Sequence, residues 1–411
     1  MSTAGKPELL APAGDWERLE MAVAYGADAV YLGGERFGLR AAAGNFGPGS
    51  LKQAAAYCQA RGVKVYVTCN AVMRNEDIPA LPAFFEMVQD AGADAVIVSD
   101  LSAFSLAKQH APRLKIHVST QAGVANYETA RVLFDLGASR VILARELTLE
   151  EIAEIRAKTP RELEIEVFVH GAMCVSFSGQ CLLSNFLAGR DANRGECAQP
   201  CRWRYFLTEA QRPGEYYEIT EGHKGTYILN ARDLCMLGHI PELLRAGVDS
   251  LKIEGRMKSA YYAAVITHAY RHAIDAALEG RPLDPVWLRE AEKVSHRPYS
   301  TGFFFGRDGG GQYTIDALYV TDCDVAAVVE SCDPSGEAEL TQRNRISRGD
   351  ELELLIPGRA PIPLTAGDLR DEAGAPIEAA PHPMMRFRMR LPVFAPRLSI
   401  LRKPRKSADR G

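Results

Sequence analysis

Five of the nine cysteines crowd between positions 174 and 235, in the order Cys174-x6-Cys181-x15-Cys197-x3-Cys201-x33-Cys235. Thiolates are soft ligands, and four of them together suit zinc or an iron–sulfur centre. Zinc sites usually pair their cysteines as two tight Cys-x2–4-Cys knuckles. Here only Cys197 and Cys201 have that spacing, so iron–sulfur is the better match. The bland alternative, thiols as small buried hydrophobes, suits Cys58, Cys69, Cys323 and Cys332. It does not suit a stretch as rich in Gly, Asn and Arg as 189–195.

Cations are concentrated in two places. Arg202-Trp-Arg-Tyr205 interleaves them with rings able to stack an unpaired base. From Arg386 to Lys406 there are six Arg, two Lys and no acidic residue. Arg386-Phe-Arg-Met-Arg390 alternates, so a strand there presents three guanidiniums on one face. The competing reading is a solvated edge that discourages strand pairing. With 48 basic and 52 acidic residues the chain carries −4 overall. That excludes a protein coated in nucleic acid or lying on an anionic membrane, and any nucleic-acid contact must be local.

These groups need a scaffold, and an internal echo supplies it. Tyr25-Gly-Ala-Asp-Ala-Val-Tyr-Leu32 returns as Ala91-Gly-Ala-Asp-Ala-Val-Ile-Val98, as Leu136-Gly-Ala-Ser-Arg-Val-Ile-Leu143 and as Ala246-Gly-Val-Asp-Ser-Leu-Lys-Ile253, with a looser copy at 60–67. Each copy reads as a helix end, a stopping Gly and a short β-branched strand. Amphipathic patterns at 16–24, 78–91, 128–136 and 149–158 lie between them. Candidate strands fall at 8–11, 29–32, 64–68, 95–98, 115–119, 140–144, 164–169 and 250–253. Eight strands, apolar throughout and alternating with helices, predict an α/β fold, a (β/α)8 TIM-like barrel. A doubly wound open sheet is the competitor; no Gly-x-Gly-x-x-Gly turn follows the first strand to support a dinucleotide-binding version.

The barrel domain is placed at 1–300, with a cysteine-rich insertion over about 171–235 and a long helix at 261–277. A glycine-rich linker at 302–311 leads to short alternating strands near 318–320, 326–329, 351–355 and 387–391. These predict a small C-terminal β-barrel or sandwich over 312–402, followed by a basic tail at 403–411. Residues 1–7 contain no apolar signal-peptide core, and no run approaches 18 apolar residues. A cytoplasmic location with no membrane contact is therefore expected, where thiols serve as metal ligands or catalysts more often than as disulfides.

Several motifs resemble those of the U32 peptidase family. They are Glu8-Leu-Leu-Ala-Pro-Ala-Gly14, Glu166-Val-Phe-Val-His-Gly-Ala-Met-Cys174, Ser178-Gly-Gln-Cys-Leu-Leu-Ser184, Arg190-Asp-Ala-Asn-Arg-Gly195 and Ser250-Leu-Lys-Ile-Glu-Gly-Arg256. The resemblance spans nearly the whole chain and is nearest to the prephenate-dependent tRNA uridine-34 hydroxylase branch. It implies a [4Fe-4S] cluster, loaded by the iron–sulfur assembly machinery, and prephenate as co-substrate. It also implies C5-hydroxylation, without O2, of the wobble uridine in the tRNA anticodon loop. Other branches hydroxylate 23S rRNA or a ubiquinone precursor. Cys174, Cys181 and Cys197 carry over as ligands, and the fourth is either Cys201 or Cys235.

Barrel enzymes build their sites at the C-terminal strand ends. Those ends hold Asn70, Gln121, Arg145 with Glu146, His170, and Glu254 with Arg256, while Arg40 lies in the loop after the second strand. A guanidinium fork binds a carboxylate bidentately, so Arg40, Arg145 and Arg256 are candidates for the two prephenate carboxylates. Lys252 is a further candidate, with an outward-facing side chain as its alternative, and rim salt bridges are the alternative for each Arg. His170, Arg145 and Arg256 are the candidate catalytic residues. The family's older reading, a collagenase-like peptidase, would need His170 to activate Cys174, and no other protease-type signature is present.

Overall fold

The computed structural model describes residues 5–40, 44–203, 205, 207–208, 216–217, 231–306 and 322–405. Seven strands follow one another in parallel: β1 (Glu8–Pro12), β2 (Ala29–Gly33), β3 (Lys64–Cys69), β4 (Ala95–Val98), β5 (Lys115–Val118), β6 (Arg140–Ile142) and β7 (Glu164–Ala172). Helices α1 (Trp16–Ala24), α2 (Pro48–Gln59), α3 (Leu81–Asp90), α4 (Leu101–His110), α5 (Tyr127–Leu136) and α6 (Leu149–Lys158) alternate with them. Their starts are written in the sequence. The Asp15 side chain accepts from the Arg18 amide, Asp100 from Ser102, and Thr148 with Glu151 forms a capping box.

The polypeptide after β7 carries α7 (Leu183–Ala188), the two-residue strands β8 (Leu207–Thr208) and β9 (Tyr216–Tyr217), and β10 (Asp233–Cys235). After α8 (Ile240–Arg245) comes β11 (Ser250–Ile253), which pairs in parallel with both β1 and β7, Ser250 opposite Glu8 on one side and Glu166 on the other. That double pairing closes an eight-stranded barrel and decides against the open sheet. α9 (Ala260–Leu278) and α10 (Pro285–Glu292) pack outside it, and β12 (Tyr299–Ser300) pairs with β10.

Closure puts alternate residues of every strand into the lumen. At its floor Arg140, 1% exposed, is bonded at 2.7 Å to both Glu8 and Glu166. Burial pushes the Glu8 carboxyl up, but Arg140 and Lys64 more than offset that and hold it at about 2. Lys252 also points inward and reaches Glu166 at 2.9 Å. A lone buried charge would cost several kcal/mol, which explains why these groups come as a network.

The C-terminal domain is an eight-stranded antiparallel sheet. Its strands are β13 (Cys323–Cys332), β14 (Glu337–Gln342), β16 (Glu351–Leu355), β17 (Ile362–Thr365), β18 (Leu369–Arg370), β19 (Pro376–Ile377), β21 (Arg386–Arg390) and β22 (Ile400–Pro404). The order runs β17-β16-β22-β13-β14-β21-β18-β19, with β15 (Ile346–Ser347) and β20 (Ala379–Ala380) paired beside it. This is the small C-terminal β domain expected from sequence, and no ladder among the described residues joins its first strand to its last. The expected strand at 318–320, most of the 302–311 linker and the tail beyond Arg405 lie outside the described residues.

This domain is fastened to the side of the barrel by buried polar contacts. Arg402, fully buried, bonds Glu290 at 2.6 Å with both terminal nitrogens, Glu353 at 2.7 Å and the Tyr261 hydroxyl at 3.0 Å. The Tyr25 hydroxyl donates to the carbonyl of Leu398 at 3.1 Å. No helix among the described residues is long and apolar enough to cross a membrane.

Candidate active site

Three guanidiniums meet over the barrel mouth, around one carboxylate. Glu254, the first residue past β11, accepts from Arg40 at 3.2 Å and from the Tyr31 hydroxyl at 3.1 Å. Its burial would raise the carboxyl, yet Arg40, Arg145 and Arg256 together bring it down to about 2. Arg256 is 3% exposed and crosses the mouth to donate to Thr68 at 3.1 Å. Its path is open only because position 33 is glycine: a Cβ there would stand 2.3 Å from a guanidinium nitrogen. Burial and the neighbouring Arg40 lower the Arg256 guanidinium to about 10, still charged at neutral pH.

Arg145 donates to the Ala172 carbonyl at 2.9 Å and lies 3.9 Å over the Phe168 ring, and burial lowers its pKa. Its Nε is buried without a partner, as are Asn70 Oδ1 and Gln121 Oε1. Beneath them the Lys252 ammonium sits 4.6 Å over Tyr31 and 5.2 Å over Phe168. Three cations against Glu254 leave the mouth with an excess of two positive charges. Partly desolvated charges attract at several kcal/mol where water allows about 1, so such a mouth favours anions over cations.

The cysteine-rich insertion lies beside this mouth and is bolted to the strand ends. Glu146 accepts from the Ser178 amide at 2.7 Å and its hydroxyl at 3.1 Å, while the Gln180 amide donates to the Gln121 carbonyl at 2.6 Å. Asn193 accepts from the Cys181 amide, and its own carbonyl accepts from the Val72 amide at 3.1 Å. Arg194 forks onto Asp77, and Arg74 makes a single contact with Asp191 at 2.9 Å. The motif at 190–195 is therefore a clamp between the loop and the end of β3.

That clamp gathers four cysteines. Burial pushes the Cys201 thiol up, Arg202 opposes, and Cys174, Cys197 and Cys181 each raise it further. Cys174 is likewise raised by burial and by Cys181 and Cys197. Backbone amides two residues on point at three of the sulfurs: Ser176 to Cys174, Leu183 to Cys181 and Gln199 to Cys197, at 3.4–3.5 Å. As they stand, no three His, Cys, Asp or Glu among the described residues could grip a single metal ion. A cluster of several irons, with one thiolate on each, makes a different geometric demand.

Cys235 stands apart. It pairs across from His170 on β10, and burial pushes its thiol to about 11, with Tyr270 lowering it and no other cysteine bearing on it.

His170 does not face the mouth either, and the reason is a bulge. In the β7–β11 ladder Lys252 pairs with Phe168 but Ile253 pairs with His170, so Val169 is an extra residue. The extra residue inverts the alternation that would have put His170 inward with Glu166 and Phe168. It turns instead to the hydroxyls of Tyr270 at 3.3 Å and Tyr299 at 3.4 Å, and burial lowers it to about 3. Both ring nitrogens face tyrosines, not Cys174, so the nucleophile–base pair of a cysteine peptidase is not assembled.

The sequence profile of peptidase family U32 matches residues 14–313, and that of its C-terminal domain matches 321–402. The chain belongs to peptidase family U32. It is 37% identical over 391 residues to tRNA hydroxylation protein P1 of Bacillus subtilis, covering 94% of this chain and 92% of that protein. It is 40% identical over 358 residues to an uncharacterized protease of Methanocaldococcus jannaschii, covering 85% and 86% respectively. The 23S rRNA 5-hydroxycytidine C2501 synthase of Escherichia coli is 34% identical over 361 residues, 85% of this chain but 52% of that protein. In this U32 chain, Phe168 and Tyr31 are inward-facing groups that sequence reasoning passed over, and Lys252, left open there, joins them. Strict alternation from Glu254 back to Ser250 would have identified Lys252.

Proposed function

We propose that this U32 protein is an RNA-modifying enzyme that hydroxylates C5 of the wobble uridine in tRNA, with prephenate as co-substrate and a [4Fe-4S] cluster on Cys174, Cys181, Cys197 and Cys201. The observation that carries the reading is the mouth itself, with three guanidiniums against one carboxylate beside four convergent thiols. Prephenate is a dicarboxylate whose two charges equal the excess at the mouth. Arg40, Arg145 and Arg256 would take its carboxylates in bidentate fashion, and the partnerless Arg145 Nε is a donor already desolvated for that purpose. The soft four-thiol set, with amide hydrogens aimed at three sulfurs, fits the cluster. A bound cluster would supply one-electron chemistry at the edge of the mouth. Cys235, behind β7, has no part in it.

An unstacked base of an anticodon loop is easier to admit to a barrel mouth than a paired one. The names of the relatives support RNA hydroxylation as the activity class. The peptidase reading has the family name behind it but lacks a positioned base. Cluster loading would call on the iron–sulfur assembly machinery, and both that and the free thiols agree with a cytoplasmic setting.

The test is anaerobic incubation of the cluster-loaded protein with unmodified tRNA and prephenate, followed by mass spectrometry of the digested nucleosides. The expected product is 5-hydroxyuridine at position 34, formed only with prephenate. An unchanged nucleoside profile in the tRNA, with 5-hydroxycytidine formed when a 23S rRNA fragment replaces it, would move the activity to ribosomal RNA.

A further inference from the structure

The run from Arg386 to Lys406 separates into two classes in the folded chain. Arg402 is buried against Glu290 and Glu353, Arg397 pairs with Glu20 at 2.8 Å, Lys403 with Asp350 at 2.7 Å and Arg405 with Asp324 at 2.7 Å. These cations hold the C-terminal domain together or fasten it to the barrel. Lys406 lies outside the described residues. Arg386, Arg388 and Arg390 are different. On β21 they alternate with the buried Phe387 and Met389, so all three stand on one exposed face, roughly 7 Å from one to the next.

β21 is an interior strand, between β14 and β18, so these arginines are not guarding a sheet edge. On the same face Arg370 lies directly opposite Arg388, a like-charge pairing that costs stability unless something else uses it. The opposing acids are Glu337 across from Arg390 and Glu339 across from Arg388, the latter contact being 3.8 Å long. Arg386 faces Thr341, which is neutral. Four guanidiniums thus share a face with Glu337 and Glu339, while Glu330, which accepts from the Thr341 hydroxyl at 2.8 Å, also lies 3.8 Å from Arg397.

The stripe is also linked to the barrel. Arg386 lies two residues after Met384, whose sulfur accepts from Arg343 at 3.1 Å. Arg343 in turn pairs at 2.8 Å with Glu17 in the first turn of α1, and α1 starts directly after the mouth end of β1. The segment that leads into the exposed arginines is therefore tied, through Arg343, to the start of α1 at the mouth end of the barrel.

We propose that Arg370, Arg386, Arg388 and Arg390 form a track for the phosphates of the RNA whose base enters the barrel, a reading that rests on RNA being the substrate. The fit is electrostatic and independent of sequence: a row of cations on a rigid strand neutralises a polyanion and releases its counterions.

The test uses the full-length, cluster-loaded protein and an unmodified tRNA transcript, with affinity measured across a salt series. Each phosphate contact on single-stranded RNA contributes about 0.7 to the slope of log affinity against log salt. The triple variant R386Q/R388Q/R390Q should flatten the slope by roughly 2 and weaken binding on the order of 100-fold at 0.1 M salt. The triple R386K/R388K/R390K should restore both, because phosphate neutralisation needs charge rather than a fork. Removing Arg113, Arg131 and Arg281, exposed on the barrel domain, is the charge-matched control and should leave the slope as it was. A triple Gln variant with wild-type melting and wild-type slope would overturn the track while leaving the tRNA reading intact. A wild-type protein with no salt-linked tRNA affinity would overturn both.

Discussion

Glu254→Gln probes the mouth most directly, because that carboxylate is the sole counter-charge among three guanidiniums. Glu254 titrates at about 2 rather than its ordinary 4.5. The difference of about 2.5 units, at 1.36 kcal/mol per unit, corresponds to about 3 kcal/mol of favourable interaction with the ionised form. Arg40 keeps 37% of its side chain exposed, so solvent screens part of this, and about 2 kcal/mol is the working figure. The folded-state value lies below the unfolded one, so this stabilisation is complete above about pH 4.5 and disappears as pH falls toward 2. E254Q should therefore melt several degrees lower at pH 7, the gap closing at acid pH. Its mouth, now three cations without a counter-ion, should bind a dicarboxylate more tightly. In a thermal-shift titration prephenate should raise the melting temperature of E254Q by more than that of the wild type. A variant as stable as wild type at pH 7, with an unchanged prephenate shift, would refute the charge argument. A destabilised variant with a diminished shift would instead make Glu254 part of the binding surface.

Three further outcomes follow from the same geometry. Cys201→Ser should abolish the iron–sulfur absorbance after anaerobic reconstitution, whereas Cys235→Ser should retain it; the reverse result would move the fourth ligand behind β7. His170, lowered to about 3 by burial, stays neutral in the fold while its unfolded form protonates near 6.5, so it costs stability as pH falls from 6.5 toward 3. His170→Gln should melt at a lower temperature at pH 7 but lose less stability on acidification, with no effect on the pH profile of turnover between 6 and 8; a shifted profile would return His170 to the chemistry. Arg402→Ala should leave Glu290 and Glu353 sharing Lys293, which lies 3.1 Å from one and 2.9 Å from the other, a loss below the roughly 3–5 kcal/mol of an uncompensated buried charge, and should split a single calorimetric transition into two as the C-terminal domain melts first. A single unshifted transition would show that Arg402 is not what fastens the two domains.

How much of this was visible in the sequence depends on the range of the interactions concerned. The barrel was legible because its strands are local events, each announced by a capped helix, a stopping glycine and a β-branched run. Closure was expected from a count of eight but fixed by pairings such as Ser250 with both Glu8 and Glu166, which join residues far apart in the chain. Arg40, Arg145 and Arg256 were reachable from the rule that barrel sites sit at strand ends. That they share one carboxylate was not, since nothing local links position 40 to position 254. Spacing left Cys201 and Cys235 equivalent. The discriminating fact is that β10 runs antiparallel along the outer end of β7 and holds Cys235 opposite His170, away from the other thiols. In the C-terminal run the charges were legible, but not their division into buried fasteners and an exposed stripe.

The single extra residue in β7 connects most of what remained hidden. A regular strand would have continued Glu166, Phe168, His170 into the lumen, beside Lys252 and Arg145. The bulge at Val169 sends the imidazole to the tyrosines around α9 and lets the strand run on as Gly171 and Ala172. Gly171 has φ 105°, and a Cβ there would meet the Glu254 carbonyl at 2.4 Å, so the turn admits no larger residue without displacement. The next carbonyl, that of Ala172, is the one Arg145 holds, and Cys174 is two residues further on. One irregularity therefore removes a histidine from the site, fixes an arginine in it and aims the first cysteine. The Arg145 guanidinium and the backbone two residues before Cys174 are thus joined by a single hydrogen bond.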